Sequence, residues 1–397
     1  MNLDAESPRV TSAARAGAVV LLVAALAACS SSGGGGSKPT ATTSSTDAKV
    51  ANVTITAAKG CEPDHTAFAA GGVTFKVTNK DATAVSEVEL LQGERIIGEK
   101  ENIPPGLAGE FAVRVDAGTY TLYCPGGTPE KSSITVTGKA AAVDQSVAAL
   151  LKTATDEYKT YVDQQIGYLV AGAVKLDAAL HGSNLAAAQK VYELSRPYYE
   201  KIEPVAESFV NGKDNLDADI DARANDVPAA QWRGFHKIEK GLFETKSLTG
   251  LTSLGDQLVT DVKTLQTKTA TLTYKAPDLA NGAQELLDEV ASSKITGEEE
   301  RYSHIDILDM ANNIEGSEQA FADLQPAVQQ IDPALATTIS AAFASLAKLV
   351  DSYRTGSNPS GYVLYGALND TDRKNLSAAV KAVAEPLSQV GSKVANA

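Results

Sequence analysis

The chain has 397 residues, of which 43% are hydrophobic and 6% aromatic, and its formal net charge is −14. This length allows two or three domains of roughly 100–200 residues, each able to bury a hydrophobic core. The acidic excess argues against a nucleic-acid partner, because phosphate backbones are bound by clustered Lys and Arg. Such a surface would attract cations instead.

The N-terminal residues have the pattern of an export signal. An uncharged apolar stretch runs from Ala16 to Leu26, which is shorter than the about 20 residues that span a bilayer. It ends in the small residues typical of a secretory signal. The tetrapeptide Leu26-Ala-Ala-Cys29 resembles the lipobox of bacterial lipoproteins, which implies a signal peptide over residues 1–28 and lipidation of Cys29. The alternative is a plain secretory signal with an incidental cysteine.

Residues 29–48 are rich in Ser, Gly and Thr, a composition that predicts a flexible tether. A lipidated Cys29 at its start would hold the protein on the cell membrane, facing the extracytoplasmic side. Of the three cysteines, Cys61 and Cys124 then remain as an even pair in an oxidising compartment.

Residues 49–138 alternate apolar and polar side chains between Gly- and Pro-rich turns. This pattern predicts six or seven short strands and a small antiparallel β-sandwich. Their order resembles that of a cupredoxin domain. A blue-copper site needs two His, a Cys and usually a Met, but this segment has His65 as its one histidine and contains no Met. Electron transfer through copper is therefore not expected.

Two interpretations of the cysteine pair stay open at this point. Cys61 and Cys124 are both predicted near one end of the sandwich, where they could form a disulfide or bind a metal as thiolates. Glu87 and Glu89 are two residues apart and therefore share a strand face. These carboxylates are either additional metal ligands or ordinary solvent-facing residues.

Residues 139–397 change to a 3.6-residue periodicity, which predicts about eight helices arranged as one or two bundles. The first helix is expected over Val147–Leu180 and a later one over His304–Gln330. Between them, residues 212–227 read as a polar loop with five aspartates. Pro228 is expected to open the next helix, because proline is favoured in a first helical turn.

His236 and Glu239 are three residues apart in a predicted helix, so their side chains share one face and could bind one metal ion. An accidental surface pair is the plain alternative. His236 is one of only four histidines and follows the aspartate-rich loop, which favours the metal site. A zincin peptidase would need H-E-x-x-H. Lys237 and Lys240 stand where its glutamate and second histidine belong, so proteolysis is not expected.

The segment Gly234-Phe-His-Lys-Ile-Glu239 resembles the G-x-H-x-x-E signature of the imelysin proteins, also classed as peptidase family M75. Three further segments, 199–209, 216–226 and 302–316, are similar to marked stretches of the EfeO-type members of this family. Those members also carry an N-terminal cupredoxin-like domain with two cysteines. The resemblance covers nearly all of the mature chain.

The resemblance implies an extracytoplasmic lipoprotein that captures iron, as Fe2+ or Fe3+, and delivers it to an EfeU-type permease beside an EfeB-type haem peroxidase. Matching by position places the family's ligands on Glu203, Asp217, His236 and Glu239, with Glu200 and Asp221 as neighbours. Such carboxylate and imidazole ligands suit iron and could also bind zinc. Cys61, Glu87 and Cys124 fall on family positions proposed to bind copper or iron. The acids that the family places before its second cysteine are absent here, where Thr119 and Leu122 stand.

His304, Asp306 and Asp309 could form a second metal patch or shape a cleft between bundles. The apolar neighbours Ile305 and Ile307 favour a core helix with polar caps instead. Two further functions are weighed against iron capture. One is metal-dependent binding of a polysaccharide or a haem-related ligand, and the other is an M75-type metallopeptidase.

Overall fold

The computed structural model describes residues 49–142, 144–211 and 214–397. The predicted signal peptide (1–28), the lipidation site Cys29 and the predicted tether (29–48) lie outside the described residues. A β domain comes first in the described chain and a helical domain follows it.

The β domain is a sandwich of two sheets. One sheet has the strand order β2-β1-β4-β7 and the other β3-β9-β8-β5-β6. The strands are β1 (Val50–Thr56), β2 (Gly60–Pro63), β3 (Ala67–Ala69), β4 (Gly71–Asn79), β5 (Val88–Gln92), β6 (Arg95–Lys100), β7 (Ala108–Val115), β8 (Gly118–Tyr123) and β9 (Lys131–Thr137).

Most strand pairs are antiparallel, as predicted, but β1 pairs with β4 and β3 pairs with β9 in parallel. The chain leaves the first sheet after β2, adds β3 to the second sheet and returns as β4 beside β1. Since this crossing replaces a hairpin, β4 runs in the same direction as β1. Period-two patterning does not distinguish the two directions, so the sequence could not reveal these parallel pairs.

Alternating side chains of both sheets fill the core of the sandwich, including Ile55, Phe75 and Leu122. Cys61 and Cys124 are buried in the same core and form a disulfide, with their Cα atoms 6.4 Å apart. Of the two interpretations of the cysteine pair, the structure therefore contains the disulfide.

The helical domain has one continuous core, in which α7, α8, α9 and α10 pack together and α1 packs against α6 and α8. The long helices begin and end close to the predicted boundaries. The helices are α1 (Gln145–Leu180), α2 (Leu185–Ser195), α3 (Pro197–Glu200), α4 (Leu216–Asp221), α5 (Phe235–Glu239), α6 (Thr252–Thr269), α7 (Ala276–Ser292), α8 (Asp306–Ile331), α9 (Pro333–Asp351) and α10 (Asp370–Asn396).

Between α2 and α5 the structure departs from the sequence prediction. The expected polar loop contains α4, where the Asn215 side chain caps the helix by accepting a hydrogen bond from the Ala218 N–H at 2.8 Å. Leu216 and Ile220 anchor this helix in the core. The prediction of a helix from Pro228 was wrong. Pro228 begins only a turn, in which the Gln231 N–H donates to the Pro228 carbonyl oxygen at 2.7 Å.

Gly234 fixes the start of α5. Its φ of +82° is a conformation that side chains disfavour, and a Cβ atom there would lie 2.1 Å from the Ile220 carbonyl oxygen. Only glycine therefore lets α5 begin directly against the end of α4. This contact brings His236 and Glu239 on α5 beside Asp221 on α4.

The two domains meet where β4, β6 and β7 lie against α7 and α10. The Lys100 ammonium is 2.7 Å from both carboxylate oxygens of Glu285. Asn281 donates to the Ala112 carbonyl at 2.6 Å, and Arg114 donates to the Ala395 carbonyl at 2.8 Å. These polar contacts hold the β domain along one side of the helical domain, so that a cleft lies between them.

Replacing Asn79 by Ala should destabilise the β domain by about 3 kcal/mol, since each unsatisfied buried polar group costs about 1–3 kcal/mol. The Asn79 side-chain nitrogen lies 2.8–2.9 Å from the carbonyl oxygens of Ala82, Val85 and Ile103. Chemical denaturation measures the change. The control is Asn52→Ala, which removes an exposed contact with Asp64 and should cost less than about 1 kcal/mol. Equal losses in both variants would contradict this prediction.

Candidate metal centre

The centre is built around His236, which is 1% exposed. Its Nδ1 lies 3.2 Å from the Glu239 carboxylate one turn along α5. The other oxygen of Glu239 accepts the backbone N–H groups of Tyr302 and Ser303, each at 2.7 Å. Glu239 thus orients the imidazole ring and joins α5 to the segment before α8. A carboxylate hydrogen-bonded to one ring nitrogen is the usual support for a histidine that binds metal through the other.

The other ring nitrogen, Nε2, has no hydrogen-bond partner among the described residues although it is buried. Carboxylate oxygens of Asp221 and Glu299 each lie 3.7 Å from it. This separation is too long for a hydrogen bond. The ring nitrogen and the two carboxylates therefore face a common space, and once the ring loses its proton these three groups could bind one metal ion.

A second group of carboxylates adjoins the first. Oxygens of Glu200, Glu203 and Glu299 lie within 4.8 Å of one another. The ammonium of Lys294 lies among them, 2.7 and 2.8 Å from the two oxygens of Glu203. Glu299 belongs to both groups, since one of its oxygens faces His236 and is also 3.5 Å from the Lys294 nitrogen.

Arg196 is a second buried basic side chain at this centre and is fully enclosed. Its guanidinium forms ion pairs with Glu200 and Asp221, and it contacts Glu300 and Asp309 at 3.0 Å each. These four acids come from α3, α4, the segment before α8, and α8 itself. One guanidinium therefore holds together the elements that surround His236.

An open cleft of about 340 Å³ leads to the centre from the junction of the two domains. Glu99 and Glu101 of the β domain form one side. The helical side contributes Glu203, Asp217, Asp221, Arg223, Glu289 and Glu299. The cleft reaches Asp221 and Glu299, behind which His236 lies, so an ion could enter along a path lined by carboxylates.

The pKa values reflect the competition between burial and charge. Burial alone would lower the pKa of His236, but the charge of Asp221 and the hydrogen bond to Glu239 raise it to about 10. Burial raises the pKa of Asp221 to about 6, against the opposing charge of Arg196. Burial alone would also raise the pKa of Glu299, yet Lys294 and His236 hold it well below its usual range. Without a metal ion, His236 is therefore protonated near neutral pH.

Known proteins match this chain over both domains. The sequence profile of the imelysin family, peptidase M75, matches residues 154–390, and that of the cupredoxin-like domain matches residues 18–136. The chain belongs to the imelysin family. It is 35% identical to the iron uptake system component EfeO of Escherichia coli O157:H7 and 34% identical to that of Shigella flexneri, in each case over 87% of this chain and 92% of the relative.

A solved structure of an iron-regulated protein A precursor from Parabacteroides distasonis covers 64% of this chain and 96% of its own, with a TM-score of 0.48 and 16% identity. The family matches confirm the predicted architecture of a cupredoxin-like β domain followed by an imelysin-like helical domain.

The structure places only some of the residues predicted from the sequence directly beside His236. His236 lies beside Asp221 and Glu239, as just described. Glu203 lies with Glu200 around Lys294, and Asp217 accepts a hydrogen bond from the Tyr199 hydroxyl. The acids within 4.0 Å of the His236 ring nitrogens in the described chain are Asp221, Glu239, Glu299 and Glu300.

The three residues predicted to form a second metal patch or a cleft have different environments in the structure. His304 is exposed, with a φ of +61°, and its backbone carbonyl accepts the Tyr365 N–H at 2.9 Å. Asp306 and Asp309 are fully buried on α8. Asp309 pairs with Arg196, and Asp306 accepts the backbone N–H of Glu300 at 3.1 Å. The two aspartates thus support the centre from behind, whereas His304 is exposed.

In the β domain, the disulfide leaves neither Cys61 nor Cys124 as a thiolate ligand. Glu87 is half-buried, and burial raises its pKa. Glu89 is buried on β5 opposite Glu99 on β6, and burial together with the charge of Glu87 raises the pKa of Glu89 to about 7.

Sequence reasoning missed Arg196, Lys294, Glu299 and Glu300. The run Glu298-Glu-Glu-Arg301 directly precedes the recognised segment 302–316, and this was a usable indication of nearby ligands. Arg196 and Lys294 had no comparable indication, because a single basic residue normally predicts an exposed side chain.

Raising the pH should destabilise the metal-free protein through His236. The folded pKa is about 10 and the unfolded one about 6.5. The stabilisation by the charged ring is therefore complete below pH of about 6.5 and is lost as the pH rises toward about 10. Denaturant titrations between these pH values should show a steeper fall for the wild type than for His236→Gln. The same slope in both proteins would contradict the assignment.

Proposed function

We propose that this protein captures an iron ion outside the cytoplasm and passes it to a membrane permease. The observation that carries the proposal is the buried Nε2 of His236, which has no hydrogen-bond partner among the described residues and lies 3.7 Å from carboxylate oxygens of Asp221 and Glu299. An ion about 2.0–2.2 Å from nitrogen and oxygen ligands would fit between donors with this spacing. His236, Asp221 and Glu299 are the proposed ligands, and Glu239 is proposed to orient the ring.

The chemistry of the donors supports iron. Two carboxylates and one imidazole supply oxygen and nitrogen donors of the kind that iron accepts, and zinc and manganese accept such donors as well. The relatives that share about a third of this sequence are named as components of an iron uptake system. Iron is therefore the proposed cargo, and zinc or copper would be competitors.

The charge of the centre supports a bound cation. Six carboxyl side chains there are buried, namely Glu200, Glu239, Glu299, Glu300, Asp306 and Asp309, whereas the buried cationic side chains beside them in the described chain are Arg196, Lys294 and the protonated His236. Burying an uncompensated charge is costly. A di- or trivalent ion at His236 would reduce the excess of negative charge and displace the proton that His236 otherwise holds.

For transfer to the permease, the bound ion must be able to leave the centre, and the cleft through which it enters would also be its way out. The cleft that reaches Asp221 and Glu299 is lined by further carboxylates, including Glu101 and Glu289. These two side chains are more exposed than Glu299 and would offer further oxygen ligands on the way out. The proposed recipient is an EfeU-type iron permease working beside an EfeB-type haem peroxidase. Lipidation at Cys29 would keep the donor on the membrane that contains this permease.

Iron titration of the purified protein tests the proposal. His236→Ala should weaken iron binding at least about 100-fold, which corresponds to about 2.7 kcal/mol, while far-ultraviolet circular dichroism stays unchanged. The matched control is His181→Ala. His181 also lies between two aspartates, Asp177 and Asp256, but on the exposed surface. The control should bind iron as the wild type does.

The control distinguishes iron binding at the buried His236 centre from adventitious binding at surface residues. Equal loss of iron in both histidine variants, or no loss in His236→Ala, would refute the proposed centre. Competition with zinc and copper in the same titration ranks the three metals.

Membrane attachment is tested by Cys29→Ala in cells. The variant should appear in the soluble extracytoplasmic fraction or accumulate as an uncleaved precursor, because the acceptor of the lipid is missing. Fractionation with immunoblotting measures this. Normal membrane retention of a processed Cys29→Ala protein would contradict lipid anchoring.

A further inference from the structure

The centre contains two adjacent cation positions that share one carboxylate. The first is the space between His236 Nε2, Asp221 and Glu299 described above. The second lies between Glu200, Glu203 and Glu299, and the Lys294 ammonium fills it. Its nitrogen is 2.7 and 2.8 Å from the oxygens of Glu203, 3.5 Å from Glu299 and 3.6 Å from Glu200.

The three carboxylates of the second position are also held by groups other than Lys294. Asn313 donates to Glu203 at 2.6 Å and to Glu200 at 2.9 Å, and Arg196 pairs with Glu200. Arg223 binds Glu299 at 2.8 Å. The position would therefore keep its oxygen donors in place without the lysine. It is a preformed cation site that a side chain of the protein occupies.

The lysine itself is held firmly. It is 1% exposed and begins a short 3₁₀ turn over Lys294–Thr296 directly after α7. The Tyr365 hydroxyl fixes this turn by donating to the Ile295 carbonyl at 2.9 Å. An ammonium is a compact point charge with three donors. The Lys294 ammonium lies among three carboxylates, and packing and hydrogen bonds keep the backbone of its turn in place.

We propose that Lys294 is a built-in counter-ion that restricts the centre to one metal ion. The inference rests on the proposed function, since it concerns how many ions the His236 centre holds. In two-metal sites the ions lie about 3.5–4 Å apart, and carboxylates from neighbouring helices hold them. Glu299 is placed to bridge such a pair. The positive charge of Lys294 repels a second ion from the position that it fills.

A single-ion centre suits a protein that must release its cargo. The ammonium cancels one negative charge beside the bound ion and keeps both oxygens of Glu203 engaged. Fewer carboxylates are then available to the ion, so it is held less tightly than in a carboxylate-bridged pair. Lys294 thereby sets the stoichiometry of the centre and weakens its hold on the ion.

The test is Lys294→Met, which keeps a similar chain length and removes the charge. With Mn(II) as the probe, the wild type should retain one equivalent per chain after gel filtration and Lys294→Met should retain two. The matched control is Lys201→Met, which removes a lysine paired with Glu315 at 2.6 Å and should retain one. Electron paramagnetic resonance should show spin-coupled Mn(II) pairs in Lys294→Met alone, a signature that a purely structural role would not produce.

The possible outcomes distinguish a failure of the proposed function from a failure of the role inferred for Lys294. A wild type that binds no metal overturns the proposed function and the inference with it. One equivalent in both the wild type and Lys294→Met, or two in the wild type, overturns the inference alone. Should Lys294→Met not fold, anomalous diffraction from Mn(II)-soaked wild-type crystals decides the question. One peak beside His236 with Lys294 still on Glu203 supports the inference, whereas a peak in place of the ammonium overturns it.

Discussion

The ion pairs of Arg196 connect the elements on which the rest of the centre depends. A buried carboxylate is tolerated only when it is paired and hydrogen-bonded. Arg196 supplies this for Glu200, Asp221, Glu300 and Asp309, which lie up to 113 residues away in the chain. Because a guanidinium has five donors in a fixed plane, it can hold several acids at once in a way that an ammonium cannot. Removing it would take from these four buried acids the one guanidinium that they share.

Arg196 and Lys294 therefore have different roles at the centre. Arg196 joins α3, α4 and α8 behind His236 and cannot lose its proton under ordinary conditions. Lys294 lies on the side of Glu203, which is partly exposed to the interdomain cleft. Two different side chains thus supply positive charge at the base of the centre and beside its opening. Beside them lies the buried Nε2 of His236, for which the described residues supply no hydrogen-bond partner.

Periodicity was sufficient to predict the long helices. The first was expected over Val147–Leu180 and is Gln145–Leu180, and the helix expected over His304–Gln330 is Asp306–Ile331. Short elements were missed, because α4 has only six residues and its Leu216 and Ile220 provide less than two turns of pattern. The motif residues His236 and Glu239 were recognised from their spacing. Arg196 and Lys294 were not, since their burial depends on acids contributed by elements that are remote in sequence.

The two residues of the H-x-x-E motif play unequal parts in this geometry. Both oxygens of Glu239 are engaged, one by the backbone of Tyr302 and Ser303 and the other near His236 Nδ1. The glutamate therefore fixes the segment that carries Glu299 and Glu300 next to the imidazole. Helical spacing explains why Glu239 reaches His236, but not why an acid from another segment faces Nε2. The motif is thus half of the centre, and its glutamate is the residue that brings the other half into place.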